Sequence, residues 1–131
     1  MKNFLCNSDL GNLLFRLFVG LSMALAHGLG KVPPSDKFIE GVESLGFPLP
    51  IVFAWSAGLA ELIGGLLIAA GLFTRWSAVF LGITMAVAAF GRHAADPFDV
   101  KEMALLYFFA CILLATQGGG KYSLDRIIRK K

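Results

Sequence analysis

Apolar residues gather in four stretches of the chain, and polar residues fall in the gaps between them. The cleanest stretch runs from Leu49 to Phe73, LPIVFAWSAGLAELIGGLLIAAGLF, with one charge, Glu61, near its middle. About 20 apolar residues cross a hydrocarbon core of roughly 30 Å, so this stretch is long enough to span a bilayer. An earlier stretch, spanning residues 10–29, is interrupted by Asn12, Arg16 and His27. At helical spacing these three fall with Gly20 and Met23 within an arc of roughly 80°, opposite Leu13, Leu17 and Leu21. A polar stripe on an apolar helix suits a bundle in which the stripe turns inward. The last two stretches, residues 76–91 and 103–117, are short for a span and need local thinning or extension into their flanks.

The punctuation between the stretches predicts the remaining elements. Gly28, Gly30, Pro33 and Pro34 are expected to stop the first helix. Ser35 can cap a short amphipathic helix over Asp36 to Leu45, closed by Gly46; it is too short to span and should lie along the interface. Pro48 and Pro50 suit the start of the second span, where a missing N–H costs little. Asp99-Val100-Lys101-Glu102 has the form of a capping box opening the fourth helix, and Gly118-Gly119-Gly120 ends it. Ser123 to Lys131 reads as an amphipathic basic tail. The predicted architecture is therefore all-α: one domain over residues 1–131, an integral membrane four-helix bundle with an interfacial helix between the first two spans. A rival reading takes Ala24-Leu25-Ala26 as a signal-peptidase site. Arg16 inside the would-be apolar region and a weakly basic start argue against it.

Composition sharpens this picture. The chain is 56% hydrophobic with a mean hydropathy of +0.71, beyond the usual soluble range of about half. Its net charge of +3 is gathered at the C-terminus, which suits an anionic lipid surface better than nucleic acid. Cys6 and Cys111 form no CxxC pattern, so neither a disulfide framework nor a zinc knuckle is indicated. Nothing matches a P-loop, GxGxxG or CxxCH motif. In a four-helix threading, Lys2, Arg75, Lys121, Arg126, Arg129, Lys130 and Lys131 fall on one side. The other side holds Lys31, Lys37, Arg92 and Lys101, diluted by six carboxylates from Asp36 to Glu102. Basic loops favour the cytoplasm, so both termini are placed there, with the protein in the cell inner (plasma) membrane.

A carboxylate in hydrocarbon costs about 3 kcal/mol, and intramembrane ionisable groups mark function by default. Glu61 shares a helical face with Ala54, Gly58 and Gly65, small residues that let neighbouring backbones close in. The threading brings His27 and His93, at the outer ends of the first and third helices, to the half of the bundle that holds Glu61. Glu102 opens the fourth helix at the same rim, and Arg16 lies lower. Glu61, His27 and His93 are thus the candidate catalytic residues, and Arg16 and Glu102 the candidate substrate-binding residues. Each also has a structural reading: Glu61 paired with Arg16 or protonated, the histidines interfacial, Glu102 capping, Arg16 snorkelling. Histidine with carboxylate can pass protons to a redox carrier. The same groups could ligate a transition metal, but no HExxH-like spacing supports that, and it ranks second.

Together these pieces resemble the DoxX family of small four-helix membrane proteins. The likeness rests on Arg16-Leu17 through His27-Gly28 with Lys31, on Glu61-Leu62-Ile63-Gly64-Gly65 with Leu67, on Gly71-Leu72-Phe73-Thr74-Arg75, on His93, and on Gly118 to Asp125. It implies an inner-membrane protein similar to the membrane subunit of a thiosulfate:quinone oxidoreductase, DoxD. The implied activity is a quinone-linked oxidoreductase or a subunit of one, working with a soluble oxidoreductase partner; self-association is a further expected partnership. The rivals are a non-catalytic scaffold anchoring a soluble redox partner and, third, a small transporter or proton conduit. No helix is plainly broken at the midplane, which disfavours the transporter.

Overall fold

The computed structural model describes residues 6–130. Lys2 and Lys131, counted in the charge asymmetry above, lie outside them. The described residues form helices and no strand: α1 (Ser8–Lys31), α2 (Asp36–Glu43), α3 (Pro50–Ala70), α4 (Thr74–Arg92), α5 (Phe98–Gln117) and α6 (Leu124–Arg129). Three of them, α1, α3 and α4, combine the length and apolar character needed to cross a membrane. The fourth long helix, α5, packs along α4 and opens with Asp99, Lys101 and Glu102.

Several helix boundaries differ from those the sequence predicts. Gly28 and Gly30 do not stop α1, which runs on to Lys31 through a π-helical turn at Met23–Gly28 and a 3₁₀ turn at Leu29–Lys31. Tertiary contact outweighs glycine's weak helix propensity here, because Gly28 lies directly against the backbone of Glu61 and Leu62. The expected capping box is not formed: α5 begins at Phe98 behind Pro97, with no side-chain cap, and Asp99 sits inside the first turn. That earlier start, and a π-helical extension of α4 through Val87–Arg92, lengthen the two stretches that look short in sequence. Ser35 does cap α2, accepting a hydrogen bond from the Phe38 amide. Gly46 follows it with a left-handed φ of 83°.

The helices run antiparallel in sequence order, and α1 meets α3 through small residues. A Cβ added at Gly65 would come within 2.7 Å of the Gly20 carbonyl oxygen, and one at Gly20 would strike the Gly65 backbone. On α3 the face bearing Ala54, Gly58, Glu61 and Gly65 is buried, and so are Arg16, Gly20 and Met23 on α1. Both inward stripes therefore lie where their periodicity puts them. The core between the helices is made by Val19, Met23, Ile68, Leu81, Met85 and Leu114. Many large apolar side chains point outward, among them Phe18, Ile51, Phe80 and Leu106. A soluble monomer does not expose so continuous an apolar surface; in a bilayer, lipid covers it.

Candidate functional site

Lys31 stands at the last turn of α1, where the chain leaves the bundle. Its backbone is pinned against α3, since a Cβ at Gly58 would lie 2.7 Å from the Lys31 carbonyl oxygen. Gly58 is one turn before Glu61 on α3. The side chain therefore needs only to turn inward, and its ammonium donates to both Glu61 oxygens at 2.8 Å. Glu61 is 2% exposed and Lys31 33% exposed. The ammonium also lies 5.4 Å from the centre of the Phe38 ring on α2, close enough for a cation–π attraction. The pair is thus covered by α2 and closed from the core by α1 and α3. In a low-dielectric site this counter-charge is what allows the carboxylate to be buried.

His27 lies in the π-helical turn of α1, next to the glycine that touches Glu61 and Leu62. Its imidazole packs edge-on against Tyr107 of α5, with ring centres 5.8 Å apart. The Tyr107 hydroxyl in turn shares a 2.8 Å hydrogen bond with the Ser22 hydroxyl. Single π-helical turns recur at functional sites because the extra residue re-aims the side chains after it. Here two of them occur at the same end of the bundle, one carrying His27 and one leading into His93.

His93 is half-buried and is engaged by Asp96, Nδ1 to Oδ2 at 2.7 Å. Glu102 is exposed in the first turns of α5. Among the described residues neither makes a hydrogen bond to Glu61 or His27. An uncharged groove of about 390 Å³, lined by Leu45, Phe47, Ala86, Val87, Phe90 and Gly91, opens two residues before His93. No three His, Cys, Asp or Glu side chains among the described residues are grouped closely enough to hold a metal ion.

Arg16 lies at the other end of α1 and does not pair with Glu61. It is fully buried. One guanidinium nitrogen donates to the carbonyl oxygens of Ile68 at 3.0 Å and Ala69 at 2.8 Å, and the other to Tyr122 at 2.6 Å. Nε donates to Asn12 Oδ1 at 3.3 Å. A rigid, planar set of donors suits this task, because it satisfies carbonyls left open at the end of α3 and ties them to the segment before α6. The charge partner of Glu61 is Lys31, a residue that in sequence looks like a loop charge ahead of Pro33. The signal for it was the demand of Glu61 for a cation, together with the lysine that closes the same helix as His27.

At the Arg16 end the chain is knotted together by Asp125. Its carboxylate accepts from the Phe73 amide at 2.7 Å and the Thr74 amide at 3.0 Å, while its own amide donates to the Gly71 carbonyl at 2.8 Å. Phe73 holds a left-handed φ of 48°, a conformation that costs about 1 kcal/mol for a residue with a Cβ. The carboxylate offsets that strain by capping α4. Burial pushes the Asp125 carboxyl up, but hydrogen bonds from Thr74 and Phe73 and the charge of Arg129 outweigh it and hold the group below its ordinary value of 3.8.

Comparison with known proteins agrees with this architecture. Residues 11–94 match the model of the DoxX family. An uncharacterized protein of Haemophilus influenzae is 32% identical, the match covering 94% of this chain and 86% of that protein. The Escherichia coli inner membrane protein YqjF is 31% identical, over 94% of this chain and 95% of its own. A Bacillus subtilis protein named "Putative oxidoreductase CatD" is 32% identical over 93% of this chain and 90% of its own. No solved structure matches the chain.

Proposed function

The chain belongs to the DoxX family, and from that premise we propose that it is an inner-membrane oxidoreductase, or a subunit of one, that handles a lipophilic redox carrier such as a quinone. One observation carries this reading: a carboxylate 2% exposed, inside an apolar helix, held in a bidentate ion pair beside a histidine-bearing π-helical turn. The oxidoreductase name of one relative supports the same class. In this reading α5 completes a four-helix crossing, α2 lies in the outer interface over the Lys31–Glu61 pair, and both termini are cytoplasmic.

Reduction of a quinone to its quinol takes up two electrons and two protons. In this reading a separate donor protein supplies the electrons. Its own side chains manage the protons. Glu61 holds and releases one, and Lys31 balances the charge left behind. His27, packed on Tyr107 of α5, relays protons toward the rim. His93, steadied by Asp96, follows two residues after Gly91 of the apolar groove, where the carrier's ring enters. Glu102 keeps the outer rim polar, and Arg16 braces the opposite end rather than touching the carrier.

The test is quinone-pool reduction in membrane vesicles containing the wild-type protein or Glu61→Gln. The variant is expected to insert normally and to lose at least about a hundredfold in rate, the lower end for a positioned acid or base. Full activity in Glu61→Gln refutes the assignment. The satisfied geometry of the Lys31–Glu61 pair favours a second reading, a scaffold that anchors a soluble redox enzyme. In that case a variant lacking Glu61, His27 and His93 side chains still co-purifies with its partner and still supports full electron transfer.

A further inference from the structure

A wide groove lies at the end of the bundle remote from Glu61. It encloses about 630 Å³ between the α3–α4 turn, the glycine run 118–120 and α6. Its walls carry four cations, Arg75, Arg126, Arg129 and Lys130, against one carboxylate, Asp125. That carboxylate is already taken up by the Phe73 and Thr74 amides. Arg75 is occupied as well, donating to the carbonyls of Ala115 and Thr116 at the end of α5. Among the described residues the side chains of Arg126, Arg129 and Lys130 make no hydrogen bond. Two large apolar rings share the same groove: Phe73 is 62% and Trp76 68% exposed.

Cations without a hydrogen-bond partner beside outward-facing aromatic rings select a ligand that is anionic at one end and apolar at the other. The groove sits where α3 ends and α4 begins, and both helices are built to cross a membrane. Its rim therefore lies at headgroup depth, where aromatic belts and basic clusters meet anionic lipid. It is also far larger than a bare phosphate needs. We propose that this groove binds the phosphate headgroup of an anionic phospholipid. Arg126, Arg129 and Lys130 meet the phosphate oxygens, and Phe73 and Trp76 lie along the glycerol and upper acyl chain. The inference is independent of the role given to Glu61.

The protein purified in a neutral detergent, with Trp55→Phe leaving Trp76 as its single tryptophan, provides the test. Trp76 fluorescence and native mass spectrometry are followed on titration with phosphatidylglycerol, phosphatidylcholine or inorganic phosphate. Phosphatidylglycerol is expected to bind at least about tenfold more tightly than phosphatidylcholine, with affinity falling as salt rises. A membrane-surface cation contributes about fivefold, so Arg126→Gln/Arg129→Gln/Lys130→Gln should weaken binding by about a hundredfold. The exposed single replacements Arg126→Gln and Lys130→Gln, each expected to cost about fivefold, serve if the triple variant folds poorly. Lys37→Gln/Arg92→Gln, at the opposite end, should change nothing. Equal binding of the two lipids, indifference to the basic replacements, or an equal loss in the opposite-end control overturns the proposal. Inorganic phosphate competing as well as the lipid would make the ligand a free anion and overturn it too.

Discussion

Lys31 and Glu61 are 30 positions apart in the chain, yet the lysine ammonium touches both glutamate oxygens at 2.8 Å. The contact joins the end of α1 to the middle of α3. It lies in the only part of the bundle where the sequence puts a carboxylate within an apolar span.

Breaking this pair from one side should cost more than removing it whole. Lys31→Met leaves a buried carboxylate without a counter-charge. The expected loss is about 3 kcal/mol, the low end for a buried pair, because Lys31 itself is one-third exposed. Lys31→Met/Glu61→Leu should recover most of that stability. Thermal unfolding in detergent of the two single variants and the double variant measures the coupling. Strict additivity would show that the two groups do not interact.

The glycines of the α1–α3 seam are expected to respond to substitution by position. Gly28→Ala places a methyl group against the Glu61–Leu62 backbone, and Gly65→Ala places one 2.7 Å from the Gly20 carbonyl oxygen. Backbone cannot yield as a flexible side chain does, so each should cost about 1–3 kcal/mol. Gly30→Ala meets nothing within 4 Å and should be neutral or slightly stabilising. Unfolding midpoints of the three variants test the ranking.

Replacing Arg16 tests the brace at the other end. Arg16→Lys keeps the charge but cannot reproduce donations to Ile68, Ala69 and Tyr122 at once. About 2 kcal/mol of stability should be lost, in the range for orphaning buried carbonyls. Limited proteolysis should find the segment around Tyr122 released before the helices unfold.

Asp125 gives the fold an acid-sensitive fastening. Its carboxyl is held below 3.8 in the folded protein, so its contribution is complete above that value and is lost as pH falls through the depressed folded value. Asp125→Ala should cost about 1 kcal/mol at neutral pH, as for other lost helix caps. Unfolding followed from pH 7 down to pH 2 should show the wild-type advantage over the variant shrink only at the acid end.

Hydropathy is a local property, and the long helices follow from it. A bilayer-length apolar run can satisfy its backbone only as a helix, which is why Leu49 to Phe73 is readable without a partner. The inward faces of α1 and α3 are readable too, since Arg16 and Glu61 cannot face lipid whatever surrounds them. The ends of helices are less so. Gly28 breaks a helix by propensity, yet here it continues one, because α3 approaches closer than any larger residue would allow.

Pattern along the chain was enough to foresee apolar helices in a bundle, Glu61 turned inward and the histidines at helix ends. Which cation meets which anion was settled by how the helices pack. Read along the sequence, Arg16 is the cation offered to Glu61, and Lys31 looks like a loop charge. The antiparallel packing of α1 on α3 sets the depth of each side chain along the other helix, turning Lys31 to Glu61 and leaving Arg16 among the carbonyls at the far end. Pairing of charges depends on distances across helices, and no pattern along one strand of sequence encodes them.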